Sequence, residues 1–212
     1  MIFRYDIINR LVQRTGAKRY LEIGVQGGEC FNRIRCDEKV SVDPNVAATY
    51  VMTSDTYFAR VAGGIAPFDV VFVDGLHHRE QVLRDILNAV RFLNPTGAVV
   101  VHDCDPPSEL AGQREACGGI WCGDVWQGWL DARLHLQCWT GVVDTDLGCG
   151  LILPWKRPQP VPHIAEEERT WAKFQATRAE WLGLVGVEEL ERVLTADEPA
   201  EEIPAEDAAP AE

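Results

Sequence analysis

Two short apolar runs, separated by a stretch of helical period, constrain the fold of this chain more than any other feature. Phe68–Val73 and residues 98–101 are almost continuously apolar, as expected of parallel strands buried on both faces. Between them, over residues 78–93, the apolar side chains recur at helical spacing. This order of strand, helix and strand predicts a βαβ unit within an α/β sheet.

The same alternation continues on both sides of this unit. Further strands are predicted at 20–23, 39–42, 50–52, 139–143 and 148–153. Further helices are predicted at 6–14, 29–34, 55–61, 125–134 and 165–182, with Ser54 as the N-cap of the helix that begins at residue 55. The chain is therefore expected to form one α/β domain.

The balance of charge excludes some partners and indicates where the domain ends. The chain has 33 acidic and 20 basic residues, a net charge of −13, which disfavours nucleic acids and anionic membranes as partners. Residues 197–212 contain seven acids and no base. The Ala/Pro/Glu composition there predicts a disordered acidic tail over 196–212, behind a domain that spans 1–195.

Cysteine usage and hydropathy bear on location. The seven cysteines are odd in number and form no C-x-x-C pair, and no signal peptide is recognisable at the N-terminus. These features indicate reduced thiols in a cytoplasmic protein, and the irregular spacing disfavours a zinc site that would use Cys117 and Cys122. The apolar runs are much shorter than the roughly 20 residues of a membrane span.

Polar residues follow the predicted strands at the points where ligands bind in open α/β sheets, namely the carboxyl ends of the strands. They are Glu22, Gly24 and Gly28 after the first strand, Asp43 after the second, Asp74 after Phe68–Val73, and His102 and Asp103 after the run 98–101. The polar ends of three of these strands, at Asp43, at Asp74 and at His102 with Asp103, are more than packing requires.

The glycine turn after the first strand allows a backbone to approach a ligand closely. Gln26 stands where a dinucleotide fingerprint needs its second glycine, so no pyrophosphate is expected on this turn. Asp43 could accept two ribose hydroxyls. Taken alone, the turn is equally compatible with a packing role.

Glu22-x-Gly24-x-x-x-Gly28 with Asp43 resembles the cofactor-binding half of the class I S-adenosylmethionine-dependent methyltransferases. The segments Phe-Asp-Val-Val-Phe-Val-Asp-Gly-Leu-His-His and Val-Val-Val-His-Asp are similar to a bacterial, small-molecule O-methyltransferase-like subgroup. The resemblance covers about residues 1–190. It implies a Rossmann-like, seven-stranded, mostly parallel sheet with helices on both faces and its last strand antiparallel.

The resemblance also implies roles for individual residues. Gly24 and Gly28 would flank the methionine moiety of S-adenosylmethionine, and Glu22 would hold its amino group. Asp43 would bind the ribose, and Asp55 is the candidate for the adenine amino group.

Asp74, His102 and Asp103 resemble the metal site of catechol-type and antibiotic-sugar O-methyltransferases. A divalent metal there, Mg²⁺ or Mn²⁺, would bind the acceptor hydroxyl and lower its pKa. His102 stands where an acid is usual, which favours a metal other than Mg²⁺ or a site that has lost its metal. In the alternative interpretation, the two aspartates only accept backbone N–H bonds in their loops.

Four further side chains near these positions receive predictions. His77 is the candidate general base, together with Asp74 in the catalytic site, whereas His78 is expected to cap the helix that follows it. The Asp105-Pro106-Pro107 segment and residues 118–123 lie where the family builds its substrate lid, and Trp121 and Trp126 are candidates for stacking on an acceptor or for packing.

The expected function is methyl transfer from S-adenosylmethionine to an oxygen of a small-molecule or modified-peptide acceptor. Sugar-containing natural products and glycan precursors are favoured by the resemblance, and a homo-oligomer is left open. Two other classes compete. They are a nicotinamide-dependent oxidoreductase, which the missing G-x-G-x-x-G disfavours, and a non-catalytic scaffold that retains the fold.

Overall fold

A mixed sheet of seven strands runs through residues 2–195, the part of the chain that the computed structural model describes. The strands are β1 (Arg19–Ile23), β2 (Glu38–Val42), β3 (Phe68–Val73), β4 (Leu93–Val101), β5 (Trp139–Val143), β6 (Cys149–Leu153) and β7 (Leu184–Val185). Their order in the sheet is β2-β1-β3-β4-β6-β5-β7. Only β6 is antiparallel to its neighbours in this sheet, so the predicted Rossmann-like, mostly parallel α/β architecture is confirmed.

Helices cover both faces of the sheet, as predicted. They are α1 (Arg4–Thr15), α2 (Glu29–Arg33), α3 (Ser54–Arg60), α4 (Arg79–Arg91), α5 (Val125–His135), α6 (Trp171–Leu182) and α7 (Leu190–Thr195). The alternating side chains of β3 separate two apolar clusters: Val70 and Phe72 pack with α1, α2 and α7, whereas Val71 and Val73 pack with α3 to α6. None of the helices within residues 2–195 is long and apolar enough to cross a membrane.

The predicted strand at 50–52 is wrong. Tyr50 forms only an isolated bridge with Val42, and the backbone N–H of Met52 already bonds to the Tyr50 carbonyl, so the chain turns away there. The seventh strand is instead β7, which lies parallel to β5 and was not predicted because it has only two residues. The antiparallel strand is the predicted one at 148–153.

Two smaller predictions are also corrected, and the packing alternative is found for Trp126. The N-cap of α3 is Thr53, whose side chain accepts the N–H of Thr56, and Ser54 is the first helical residue. The last long helix begins at Trp171, after a separate 3₁₀ turn at Glu166–Glu168. Trp126 is buried against Phe174, with ring centroids 4.6 Å apart, so it packs α5 on α6 and is not exposed to an acceptor.

The predictions for the cysteines and for the acidic tail are tested by the structure only in part. All seven cysteines are free, and no cysteine belongs to a group with metal-ligand geometry among the described residues. The predicted acidic tail at 196–212 lies outside the described residues.

Candidate active site

The carboxyl ends of β3 and β4 place the predicted metal ligands side by side. Val73 and Val101 are partners in the parallel register, and the residues that follow them are Asp74 and His102. The backbone N–H of His102 donates to the carbonyl of Val73 at 3.1 Å, so the ladder continues up to the site. Two residues that are 28 positions apart in sequence therefore meet at one edge of the sheet.

Four side chains converge there. Nδ1 of His102 lies 3.4 Å from Oδ1 of Asp74 and 3.2 Å from Oδ2 of Asp103. Nε2 of His77 lies 3.4 Å and 3.3 Å from the same two oxygens. The donor atoms of Asp74, His102 and Asp103 all lie within 4.8 Å of one another, a spacing compatible with one metal ion.

The groups of this cluster strongly perturb one another's protonation. Burial alone would raise the pKa of Asp74, but the neighbouring His102 and His77 imidazoles hold that pKa well below its usual range. Burial would likewise lower the pKa of His102, but the carboxylates of Asp74, Asp103 and Asp146 raise it well above its usual value. The pKa of His77 is raised for the same reason, with Asp74 and Asp103 outweighing its burial.

Asp103 has a feature that fits a metal ligand better than a residue that only binds its own loop. Its Oδ1 atom is buried and has no hydrogen-bond partner, and an unsatisfied buried carboxylate oxygen is costly without a cation. The donor set of two carboxylates and the His102 imidazole nitrogen thus fits a divalent metal.

The outward faces of both histidines contact backbone carbonyls that the sequence analysis missed. Nε2 of His102 lies 2.8 Å from the carbonyl oxygen of Asp146, in the turn between β5 and β6. Nδ1 of His77 lies 3.2 Å from the carbonyl oxygen of Trp121, whose indole also packs on the His77 ring at 5.0 Å. A sequence does not show which main-chain carbonyl contacts a side chain. The signal available was that β5, like β4, is a strand that could end at this edge of the sheet; in the structure the two run parallel.

Arg4, at the start of α1, holds the β5–β6 turn in place. Its backbone N–H and its guanidinium both donate to the Asp146 carboxylate, at 2.8 and 3.0 Å. Asp146 and Leu147 have φ of +49° and +63°, a left-handed conformation that non-glycine residues rarely adopt. The contacts of Arg4 help to hold the turn in this conformation. Arg4, like Asp146, is a residue that the sequence analysis did not associate with the site.

The glycine turn lies against the metal cluster. Gly24 has φ +83°, and a Cβ atom there would lie 2.0 Å from the carbonyl oxygen of Asp74. Gly28 has φ +74° and forms the N-cap of α2. A cavity of about 480 Å³ opens beside this turn, bounded by residues 25–28, by Phe31 and Asn32 of α2, and by residues 46–49.

Glu22 is a buried acid in β1, with about 1% of its surface exposed. Its Oε2 accepts a hydrogen bond of 2.5 Å from the hydroxyl of Tyr20, a neighbour that the sequence analysis did not identify. Burial raises the pKa of Glu22 to about 7, with the Asp74 charge adding to the effect. A buried carboxylate in this state is suited to a cationic ligand such as an α-ammonium group.

Asp43 supports the glycine turn directly. Its Oδ2 accepts the N–H groups of Val25 and Gln26, at 3.0 and 3.3 Å, and its Oδ1 accepts that of Asn45 at 2.8 Å. Burial opposes ionisation, but these backbone donors outweigh it and lower the pKa of Asp43. Asp43 thus stabilises its loop through hydrogen bonds from backbone N–H groups. Its contact with a ribose stays a prediction.

The other predicted residues lie further from the cluster. Asp55 is exposed in the first turn of α3, where it accepts a hydrogen bond from Gln81 at 3.2 Å and lies 3.5 Å from Arg84. His78 occupies the N-cap position of α4, as predicted, but its side chain makes no cap bond. Asp124 caps the helix instead, with its Oδ1 accepting the N–H of Arg79 at 2.6 Å.

A second cavity, of about 410 Å³, lies on the other side of the β5–β6 turn. Its walls include the Asp105–Pro106–Pro107 segment, the turn 144–148 and Arg178 of α6. Arg178 binds Asp105 through both nitrogens of its fork, with Nε to Oδ1 at 2.6 Å, and its second nitrogen also lies 3.3 Å from Asp144. The sequence analysis placed the substrate lid at this segment.

Comparison with known proteins agrees with this architecture. Residues 35–104 match the family model of a methyltransferase domain, Methyltransf_24. No curated protein matches the chain significantly.

Several solved structures share the fold. The O-methyltransferase TomG from Streptomyces achromogenes, involved in tomaymycin synthesis and solved with S-adenosylmethionine, superposes with a TM-score of 0.51 at 19% identity, over 71% of this chain and 78% of that one. An O-methyltransferase from Bacillus cereus in complex with S-adenosylhomocysteine gives 0.53 at 14% identity, over 71% and 80%. The S-adenosylhomocysteine-bound methyltransferase PaMTH1 from Podospora anserina gives 0.52 at 14%, over 76% and 80%.

The superpositions establish the fold, whereas identities this low leave the substrate open. The sheet order, the family model and these superpositions agree with the resemblance that the strand-end residues predict. The chain therefore has the fold of the class I S-adenosylmethionine-dependent methyltransferases, and residues 35–104 match a methyltransferase domain.

Proposed function

We propose that this protein is an enzyme that transfers the methyl group of S-adenosylmethionine to an oxygen of a small acceptor, with the help of a divalent metal. The supporting observation is that Gly24 of the cofactor turn lies directly against Asp74 of the metal cluster. Methyl donor and acceptor hydroxyl would then be held next to each other, which is the main requirement of an in-line transfer.

The residues around the glycine turn fit the cofactor. S-adenosylmethionine, when bound, supplies an electrophilic methyl group. Gly24 and Gly28 are the candidates that would flank its methionine part, in the turn that borders the first cavity, and Glu22 is the buried acid available for its ammonium group. Asp43 and Asp55 remain the candidates for the ribose and the adenine.

On the acceptor side, Asp74, His102 and Asp103 would hold the metal and so orient the acceptor hydroxyl. Nε2 of His77 lies 3.4 Å from Asp74 and 3.3 Å from Asp103, beside the metal cluster, and is the candidate general base that would accept the hydroxyl proton.

The second cavity supports a polyhydroxylated acceptor. Three acids border it, namely Asp105, Asp144 and Asp146. Each is paired with an arginine, but a carboxylate has further lone pairs that can accept hydrogen bonds from sugar hydroxyls. Asp146 lines this cavity and also contacts His102 through its carbonyl group, so the cavity adjoins the metal cluster. A sugar-containing natural product or glycan precursor is the proposed acceptor class.

Methyl transfer is tested with S-adenosylmethionine labelled in its methyl group and a panel of glycosides and phenols. We expect label on an acceptor oxygen, located by NMR, and turnover reduced at least about 100-fold by Asp103→Asn. Asp37→Asn, at an exposed acid before β2, is the control and should retain full turnover. Label on nitrogen or carbon, or full turnover of the Asp103 variant, would contradict the proposal.

A further inference from the structure

The guanidinium group of Arg4 uses only one of its three nitrogens. Within residues 2–195, the side-chain hydrogen bonds of Arg4 all involve Nη1, which lies 3.0 Å from the Asp146 carboxylate and 3.5 Å from Nε2 of His102. Its Nε atom is buried and has no hydrogen-bond partner. A buried N–H group without an acceptor is costly, so the edge formed by Nε and Nη2 requires an explanation.

Two other arginines show what this edge binds. In Arg178, Nε and Nη2 donate to the two carboxylate oxygens of Asp105. In Arg79, the same two nitrogens donate to the two oxygens of Asp131, at 2.6 and 3.1 Å. The parallel N–H groups of this edge match the geometry of a carboxylate. The Nε–Nη2 edge of Arg4 is therefore suited to a carboxylate that the described residues do not supply.

Arg4 lies on the side of the sheet that Glu22 also faces. Glu22 and Phe72 are partners in the register of β1 and β3, so their side chains point to the same face. This is the face that α1 covers, since Phe72 packs in one cluster with the apolar side chains of α1. The Phe72 ring lies 6.2 Å from that of His102, which Arg4 contacts from the start of α1.

The charges of Arg4 and Glu22 act on each other, although the two side chains do not form an ion pair. Burial raises the pKa of Glu22, and the nearby Arg4 charge is one of the influences that oppose this rise. Burial would lower the pKa of Arg4, but the charges of Asp146 and Asp74 raise it. Within residues 2–195, the ion pair that Arg4 forms is with Asp146. An acid and a cation are thus held close together but apart.

We infer that Arg4 binds the α-carboxylate of the methionine part of S-adenosylmethionine through its Nε–Nη2 edge, while Glu22 binds the α-ammonium group. The inference rests on the proposed function and assigns a residue to the negative charge of the cofactor. The ammonium and the carboxylate of an amino acid share one carbon atom, so a site for both needs an acid and a cation that are neighbours without being paired. Glu22, Asp74 and Asp103 would repel a carboxylate at this edge of the sheet if no cation faced it.

The competing explanation is that Arg4 only stabilises the β5–β6 turn. Its backbone N–H and Nη1 bind the Asp146 carboxylate, which accounts for one side of the guanidinium. That contact leaves the Nε–Nη2 edge without a role. The two explanations differ in whether the effect of losing Arg4 depends on a carboxylate in the ligand.

The test compares two ligands by calorimetric titration of the full chain. They are S-adenosylhomocysteine and its decarboxylated form, in which hydrogen replaces the α-carboxylate and the ammonium group is retained. We expect the wild type to bind S-adenosylhomocysteine about 10- to 100-fold more tightly than the decarboxylated form, as charge-assisted hydrogen bonds to one carboxylate would produce. A wild-type ratio near one would overturn the inference.

Arg4→Met should weaken the binding of S-adenosylhomocysteine by the same factor and leave that of the decarboxylated form nearly unchanged. Arg10→Met is the matched control, because it removes an arginine of the same helix that pairs with Glu191 at 2.6 Å, and it should retain the wild-type ratio. Equal weakening of both ligands by Arg4→Met would mean that Arg4 acts only through the turn, and would overturn the inference.

A second variant decides the question if Arg4→Met does not fold. Arg4→Gln can still donate a hydrogen bond to Asp146 but carries no charge. The ratio of the two affinities should fall in this variant, and an unchanged ratio would overturn the inference.

The same titrations separate this inference from the proposed function. Binding of S-adenosylhomocysteine with a ratio near one would remove the role of Arg4 and leave the methyltransferase proposal standing. Absence of S-adenosylhomocysteine binding by the wild type would contradict the proposed function itself.

Discussion

Replacing Gly24 with alanine should abolish S-adenosylhomocysteine binding and lower the free energy of unfolding by about 3 kcal/mol or more. The added Cβ would lie 2.0 Å from the Asp74 carbonyl oxygen and 2.5 Å from its carbon, and both are backbone atoms that cannot rotate away. The φ of +83° adds a strain that alanine does not tolerate well. The ends of β1 and β3 would have to separate, and the glycine turn would move with them.

Gly27→Ala is the matched control, three positions along the same turn. No atom lies within 4 Å of the Cβ position there, so we expect the stability of this variant to stay close to that of the wild type. Denaturant unfolding and calorimetric titration of both variants measure the two effects. Wild-type affinity in the Gly24 variant would show that the turn does not approach the cofactor.

Replacing Glu22 with glutamine should have opposite effects on binding and on stability. The glutamine amide oxygen can still accept the Tyr20 hydroxyl, but it lacks the charge that would bind an ammonium group. Loss of one charge-assisted hydrogen bond of roughly 1.5–3 kcal/mol weakens S-adenosylhomocysteine binding about 10- to 100-fold. Without ligand, however, the variant should be the more stable protein above pH 7.

The sign of the stability effect follows from the direction of the pKa shift. The pKa of Glu22 rises from its ordinary value of 4.5 to about 7 in the folded protein, because burial penalises its charged form. The stabilising effect of the protonated acid is therefore complete below pH 4.5 and is lost as the pH rises to 7. A rise of the pKa from 4.5 to about 7 corresponds to roughly 3–4 kcal/mol, which the glutamine variant would not lose.

Chemical unfolding of both proteins from pH 4 to pH 8 checks this prediction. The stability of the wild type should fall relative to the variant between pH 4.5 and 7, and the difference should be constant above that range. Parallel pH profiles would contradict it, since they would mean that folding leaves the pKa of Glu22 unchanged.

The parallel centre of the sheet could be predicted because its strands are buried on both faces. Phe68–Val73 is apolar almost throughout, and the abrupt change to Asp74 marks its carboxyl end. Asp74, His102 and Asp103 could be placed at one edge because parallel neighbours end there, and the family resemblance assigned them to one metal site. The prediction failed at Tyr50, where three residues with strand propensity are followed at once by the Thr53 cap.

The rest of the site depends on contacts that leave no periodic signal. The carbonyl groups of Asp146 and Trp121 belong to irregular segments, and main-chain atoms are the same in every residue. Arg4 reaches the site because α1 packs across β3 and β4, which hydrophobic periodicity does not specify. The two alternatives for Trp126 could not be decided from the sequence because a tryptophan near a glycine-rich loop has the same local pattern whether it faces solvent or Phe174.

Calorimetric titration of the purified chain with S-adenosylhomocysteine, and separately with NADH, tests the central claim most directly. The proposed function predicts micromolar binding of S-adenosylhomocysteine with one site per chain, and no heat with NADH. Binding of NADH would indicate an oxidoreductase on a similar fold. Absence of binding to both ligands would contradict the methyltransferase proposal and leave a scaffold that retains only the fold.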